Sequence, residues 1–151
     1  TSVNWNMAQS ENKSEDEQCE MLQGNTLAAW IQQTLQKGKN EKNTKYLIVD
    51  VRDYDYGPRK IIGAINIPKD SLVSGDKNNK VMVKLIEMTK DTENVIFHCR
   101  YSMVRGPESA KTYLNYRKAN FPDYPKQKVL VLEGGFAFWE QQHPKLCEKT
   151  E

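Results

Sequence analysis

Short apolar runs alternate along the chain with amphipathic segments, and this alternation predicts a mixed α/β fold. YLIVDV at 46–51 is a continuous β-branched and aliphatic run, which is typical of a strand covered on both faces of a parallel sheet. VIF at 95–97 and KVLVLE at 128–133 predict two more strands. IIGAINIP at 61–68 predicts a further short strand that ends at Pro68.

Four other segments carry apolar residues at helical spacing. The first follows Asn25, the predicted N-cap, and ends at Gly38. The second lies at 79–90, the third begins near Pro107, and the fourth follows the turn at Gly134–Gly135. Strands that alternate with helices in this way predict a three-layer α/β domain with a mainly parallel central sheet.

Composition adds limits to this picture. The 151 residues are 38% hydrophobic, which is enough for one packed core. Polar residues dominate 1–20, so we predict a flexible N-terminal tail, a folded domain over 21–147 and a short C-terminal tail at 148–151. The net charge of +2 argues against a nucleic-acid partner. No apolar run approaches the about 20 residues that cross a bilayer, which argues against a membrane partner.

The cysteines and the N-terminal residues indicate a reducing compartment. The N-terminal stretch has neither the basic region nor the apolar region of a secretory signal, which predicts a cytoplasmic and/or nuclear location. Cys19, Cys99 and Cys147 are widely separated and form no Cys-x-x-Cys pair. We therefore predict reduced thiols and no metal site, with Cys19 and Cys147 as bystanders.

The segment VIFHCRYSMVRGP carries the candidate chemistry. Cys99 lies at the end of a predicted strand, and Arg105 follows six positions later, just before a helix. Backbone N–H groups and the helix dipole at such a loop favour an oxyanion and a thiolate, so Cys99 is the predicted nucleophile. The planar guanidinium of Arg105 suits two oxygens of a tetrahedral anion. The intervening residues form the predicted anion-binding loop: Arg100, Tyr101, Ser102, Met103 and Val104.

Other polar residues near this loop are predicted to support it. His98 is expected to fix the loop by a hydrogen bond, and Asp50 and Arg52 are expected to pair with each other. Ser102 is predicted to donate a hydrogen bond to the sulfur. The alternative interpretation is a small buried thiol at Cys99 and a helix-capping arginine, which the strand before the loop and the Gly-Pro after it make less favourable.

The loop HCRYSMVRGP resembles the His-Cys-x5-Arg-Gly-Pro loop of the M-phase inducer phosphatases and their small single-domain relatives, which include arsenate reductases. YLIVDVRDYDY, IIGAINIP and VLEGGFAFW are similar to three further motifs of the rhodanese fold. The resemblance covers about 25–143 and identifies residues 21–147 as a rhodanese-like catalytic domain. It also shows departures, because Arg100 stands where the inducers have Glu, and Val51 stands where larger members have a second cysteine.

Because the loop acid is missing, the general acid has to come from elsewhere. Asp53 and Asp55 in the facing loop and Glu108 on the helix are the candidates. Each of them has the alternative interpretation of a solvated surface carboxylate.

The resemblance implies two main functions. The first is a protein tyrosine or dual-specificity phosphatase that acts on a phosphorylated protein through a cysteinyl-phosphate intermediate and needs no cofactor. The second is an arsenate reductase that takes a small oxyanion and uses glutathione, with glutaredoxin as a partner. Two lesser alternatives are a thiosulfate sulfurtransferase, which usually has a loop one residue shorter, and a phosphate-binding module without turnover.

Overall fold

A parallel sheet of five strands lies at the centre of the computed structural model, which describes residues 19–38, 41–73 and 79–151. Its strands, in chain order, are β1 (Glu20–Leu22), β2 (Tyr46–Asp50), β4 (Ile65–Asn66), β5 (Asn94–His98) and β6 (Lys128–Leu132). Their order across the sheet is β1-β6-β5-β2-β4. Two further strands, β3 (Arg59–Ile61) and β7 (Cys147–Lys149), form a separate antiparallel pair.

Helices cover both faces of this sheet. They are α1 (Gly24–Lys37), α2 (Lys69–Leu72), α3 (Lys80–Met88), α4 (Arg105–Asn120) and α5 (Gly135–Gln142), with a 3₁₀ turn at Pro144–Leu146. α1 and α5 contribute Leu27 and Trp139 to one core cluster, whereas α3 and α4 contribute Leu85 and Tyr113 to the other. Adjacent β5 residues belong to different clusters, as expected when successive side chains point to opposite faces. The predicted three-layer α/β fold is confirmed.

The register of β2 and β5 brings two loops together. Asp50 lies beside His98 at the carboxyl ends of these strands, so the chain leaves both strands at the same edge of the sheet. The segment 51–58 follows β2 and the segment 99–104 follows β5. This edge is where an open α/β sheet places its ligand sites.

The segment 61–68 differs from its prediction as one strand. Residues 59–61 form β3, and residues 65–66 form β4. Between them Gly63 has a φ of 80°, and the N–H of Ala64 bonds to the carbonyl of Ile61 at 3.0 Å, which closes a tight turn. The turn separates the two short strands, and β3 pairs with β7 outside the main sheet.

Both ends of the predicted domain also need correction. The predicted C-terminal tail at 148–151 is wrong for its first two residues, because β7 pairs with β3 through Lys60↔Glu148 and Arg59↔Lys149. At the other end β1 already includes Glu20, and the remainder of the predicted N-terminal tail, 1–18, lies outside the described residues. Asn25 is not the cap of α1, because the helix begins at Gly24 after Gln23.

Candidate active site

Cys99 lies where β5 ends, within reach of the first turn of α4. Its side chain is buried, and its Sγ accepts the backbone N–H of Gly106 at 3.3 Å. A Cβ at position 106 would lie 3.3 Å from the backbone nitrogen of Cys99, so glycine permits this approach of helix and strand end. A hydrogen bond from a helix N-terminus stabilises negative charge on sulfur.

The predicted anion-binding loop divides into inward and outward residues. Ser102 is buried and has a φ of 55°, and its hydroxyl has no hydrogen-bond partner among the described residues. Tyr101, Met103 and Val104 are exposed. The left-handed backbone at Ser102 turns the chain back toward α4. The hydrogen bond predicted from Ser102 to the sulfur is therefore not formed in this structure, where the donor to the sulfur is the Gly106 N–H.

The start of α5 holds the first two carbonyl groups of the loop. The N–H of Phe136 donates to the Cys99 carbonyl at 2.9 Å, and the N–H of Ala137 donates to the Arg100 carbonyl at 2.8 Å. Gly135, with a φ of 63°, lies directly against these carbonyls. The motif VLEGGFAFW predicted a turn and a helix but not this contact with the loop.

Arg105 reaches across to the facing loop and binds two carboxylates. Its Nη1 and Nη2 donate to the two oxygens of Asp55 at 2.7 Å each, and Nη1 also donates to Asp53 at 3.1 Å. These hydrogen bonds lower the pKa of Asp55 to about 2 and raise the pKa of Arg105. Nε of Arg100 lies 3.6 Å from the same Asp55 carboxylate.

The three general-acid candidates therefore all lie in ion pairs. Asp53 and Asp55 contact Arg105, whereas Glu108 pairs with Lys69 on α2. Glu108 therefore contacts the neighbouring helix α2 through the Lys69 side chain. Asp53 is the more exposed of the two loop carboxylates, at 38% of its side chain against 12% for Asp55.

Three buried polar side chains, Asp50, Arg52 and His98, support the strand ends beneath the loop. Arg52 donates from Nε and Nη2 to the carboxylate of Asp50, with the shortest distance 2.7 Å, and its guanidinium lies 4.1 Å from the ring centre of Phe136. Nδ1 of His98 lies 3.0 Å from the carbonyl oxygen of Cys99, which can only accept, so Nδ1 donates. These contacts agree with the supporting roles predicted for all three residues.

His98 is expected to make the stability of the fold depend on pH. Burial lowers the pKa of His98 below 6.5, although Asp50 acts in the opposite direction. The unfolded chain then binds more protons than the folded chain below about pH 6.5, so the free energy of unfolding falls as pH decreases from 7.5 to 5.5. His98→Asn, which keeps a donor near Nδ1, is expected to flatten this dependence in urea unfolding.

The second histidine provides the control for that measurement. His143 lies at the end of α5, where Nε2 contacts Asn25 at an exposed position. His143→Gln is expected to keep the loss of stability at pH 5.5. An equal pH dependence in His98→Asn and the unmodified chain would contradict this prediction.

The other two cysteines lie on opposite faces of the sheet. Cys19 packs against the core cluster of α3 and α4, and Cys147 packs against the cluster of α1 and α5. Burial raises the pKa of Cys19 to about 11 and also raises the pKa of Cys147. Both therefore favour the neutral thiol, and their interpretation as bystanders stays a prediction.

The described ranges contain neither a cluster of metal-ligating side chains nor a membrane-spanning helix. Within 19–38, 41–73 and 79–151 no three His, Cys, Asp or Glu side chains are grouped so that they could hold a metal ion. Across those same ranges none of the helices combines the length and apolarity needed to cross a bilayer.

The sheet topology and the loop together define a class of protein. This parallel α/β domain places one cysteine and one arginine between a central strand and a helix N-terminus, in the loop that the sequence predicts to bind an oxyanion. Residues 28–142 match the Rhodanese-like domain family, and the chain belongs to that family. The resemblance stated from the sequence motifs is confirmed.

The chain is similar both to proteins named as phosphatases and to proteins named as arsenate reductases. The chain is 32% identical over 120 residues to the dual specificity phosphatase ibp1 of Schizosaccharomyces pombe, covering 68% of this chain and 80% of the relative. It is 34% identical over 110 residues to arsenate reductase 2.2 of Oryza sativa subsp. japonica, covering 70% and 78%. A yeast protein tyrosine phosphatase of the rhodanese family superposes with a TM-score of 0.66 at 25% identity, covering 85% and 91%. These names agree with both main functional predictions and do not rank them.

Proposed function

We propose that the chain is a cysteine-dependent phosphatase of the tyrosine or dual-specificity type, with Cys99 as nucleophile and Arg105 as the oxyanion-binding cation. The observation that carries the proposal is the 3.3 Å contact between the Gly106 N–H and Cys99 Sγ, in a loop that also holds Arg105. A sulfur stabilised in this way is a nucleophile positioned beside an anion-binding group.

The proposed reaction has two displacement steps. The Cys99 thiolate attacks phosphorus, the P–O bond to the leaving group breaks, and a cysteinyl-phosphate forms. Water then attacks phosphorus and releases phosphate and the thiolate. In both steps Arg105 and the N–H groups of the loop 100–104 stabilise the charge on the phosphoryl oxygens. The reaction needs no cofactor.

Asp53 is the general acid that we propose for the first step. It contacts Arg105 and is the more exposed of the two loop carboxylates, so it lies near the bound anion and is open to a leaving group. Glu108 is less suitable, because its partner is Lys69 on α2 and not the anion-binding Arg105. The proposed substrate is a phosphorylated protein, and the reduced thiol fits the cytoplasmic or nuclear location predicted from the sequence.

Arsenate reduction is the second candidate, and the 34% identity to a rice arsenate reductase favours it. Cys99 would attack arsenate in the same anion-binding loop, because arsenate has the tetrahedral shape and charge of phosphate. Attack by the thiolate would form an S–As bond and expel one arsenate oxygen as water. The two electrons for reduction to arsenite would come from the oxidation of two thiols to a disulfide, with glutathione as the external reductant and glutaredoxin as the partner that resolves the arsenylated cysteine.

Parallel assays of the two reactions test the proposal. We expect phosphate release from a small aryl phosphate under reducing conditions, with many turnovers per protein molecule. Arsenite formation with glutathione and glutaredoxin, without aryl phosphate hydrolysis, would instead establish the reductase. Phosphate binding without either reaction would support a phosphate-binding module, and cyanide consumption that depends on thiosulfate would support a sulfurtransferase.

A further inference from the structure

The carboxylate of Asp55 contacts both basic side chains of the loop that follows β5. Residues 99–105 include two basic side chains, Arg100 and Arg105. Arg105 binds both oxygens of Asp55, and Nε of Arg100 lies 3.6 Å from Oδ2 of the same group. The Asp55 side chain is 12% exposed, so this contact lies in a partly closed position rather than in open solvent.

The contact to Asp55 uses the edge of the guanidinium that suits an oxyanion. Nη1 and Nη2 of Arg105 together bind the two carboxylate oxygens, which is the bidentate geometry that arginine also makes with phosphate oxygens. A tetrahedral anion that uses the same pair of donors has to take the place of Asp55. A carboxylate and a substrate anion cannot both hold that edge.

We propose that Asp55 is an internal competitor of the substrate anion, and that exchange of Arg105 and Arg100 from Asp55 to the anion sets the affinity of the site for doubly charged oxyanions. This inference rests on the proposed function, because it assumes that Arg105 binds the phosphoryl group. It assigns to Asp55 an effect on binding, exerted through Arg105, and no role in bond breaking.

Protonation does not open this contact near neutral pH. The pKa of Asp55 is lowered to about 2 by the hydrogen bonds from Arg105, so the carboxylate keeps its charge throughout the physiological range. Release of Arg105 therefore depends on a competing anion. For a site that binds its ligand only in the open state, the apparent dissociation constant is the intrinsic constant divided by the open fraction.

The test measures anion binding without the covalent step. In a Cys99→Ser background, Asp55→Asn is expected to lower the dissociation constant of inorganic phosphate about tenfold by calorimetry, which corresponds to a closed population of about 90%. Arsenate, which has nearly the same charge near neutral pH, is expected to gain by the same factor. An equal gain in affinity for phosphate and arsenate indicates that Arg105 is released more easily from position 55. A gain for only one of the two anions would indicate a new contact with that anion.

A matched variant controls for net charge. Asp123 is exposed in the segment after α4, and Asp123→Asn removes the same charge away from the loop. It is expected to change phosphate affinity by less than about twofold. Thermal unfolding of each variant identifies a loss of folding, and Asp55→Ser is the second substitution if Asp55→Asn unfolds.

The outcomes separate this inference from the proposed function. If Asp55→Asn binds phosphate more weakly or equally well, and the unmodified chain still hydrolyses aryl phosphate, then Asp55 does not compete with the anion. The proposed phosphatase function would be unaffected by that result. Weaker binding would show that Asp55 positions Arg105. Failure of both Cys99→Ser proteins to bind phosphate, together with no hydrolysis by the unmodified chain, overturns both proposals.

Discussion

Replacement of Cys99 by serine is expected to reduce kcat for aryl phosphate hydrolysis by at least about 1,000-fold. A serine hydroxyl stays protonated near neutral pH and is a far weaker nucleophile than a thiolate, although the Gly106 N–H can still donate to its oxygen. Serine differs from cysteine by one side-chain atom, so little packing is lost at the buried position of Cys99. Loss of activity would then report loss of the nucleophile.

Two comparisons make this result specific. Cys147→Ser changes a thiol on β7, outside the main sheet, and is expected to keep kcat within about twofold. Phosphate binding by Cys99→Ser, measured by calorimetry, is expected to persist, because Arg105 and the loop N–H groups remain. If Cys99→Ser keeps more than a tenth of the activity, covalent catalysis by this residue is wrong.

The loop that holds Cys99 was predictable because its residues are contiguous. A strand, a cysteine, an arginine six residues later and a Gly-Pro pair lie within one segment, and each part has a local structural meaning. The pairing of His98 with the Cys99 carbonyl and of Arg52 with Asp50 is equally local. These two contacts were predictable because the residues that form them are neighbours in the chain as well as in the fold.

Contacts between distant segments were not predictable in the same way. Arg105 and Asp55 are 50 residues apart, and their pairing depends on the conformation of the loop after β2. Helical or strand periodicity contains no information on that conformation. Asp55 was accordingly named only as a candidate acid, whereas the structure places it on the cation of the site.

The β3–β7 pair escaped prediction for a related reason. Each strand has three residues, and β7 carries Glu148 and Lys149. Such a short charged segment shows no alternation of apolar and polar positions, so it has no strand signature of its own. It becomes a strand only through backbone hydrogen bonds to β3, which lies about 90 residues earlier.

Gly135→Ala is expected to lower the free energy of unfolding by about 3 kcal/mol, through left-handed strain and a backbone clash. The φ of Gly135 is 63°, where an alanine is strained. Its Cβ would lie 2.5 Å from the Arg100 carbonyl oxygen and 2.7 Å from the Cys99 carbonyl oxygen. To relieve this contact, α5 has to move away from the loop.

Movement of α5 would also affect the reaction. The N–H groups of Phe136 and Ala137 would lose their hydrogen bonds to the Cys99 and Arg100 carbonyls. These hydrogen bonds hold Cys99 and the first residue of the anion-binding loop in place. We therefore expect Gly135→Ala to lower kcat/KM for an aryl phosphate about tenfold or more at temperatures where the protein is still folded.

Gly63→Ala separates the strain of the backbone from the contact with the loop. Gly63 has a φ of 80°, but a Cβ there would have no heavy atom within 4 Å. This variant should lose about 1 kcal/mol and keep its kcat/KM, because only the left-handed conformation is affected. Urea unfolding and aryl phosphate hydrolysis of both variants provide the measurement. Equal losses of stability in Gly63→Ala and Gly135→Ala, or full activity in Gly135→Ala, would show that contact with α5 does not hold the anion-binding loop in place.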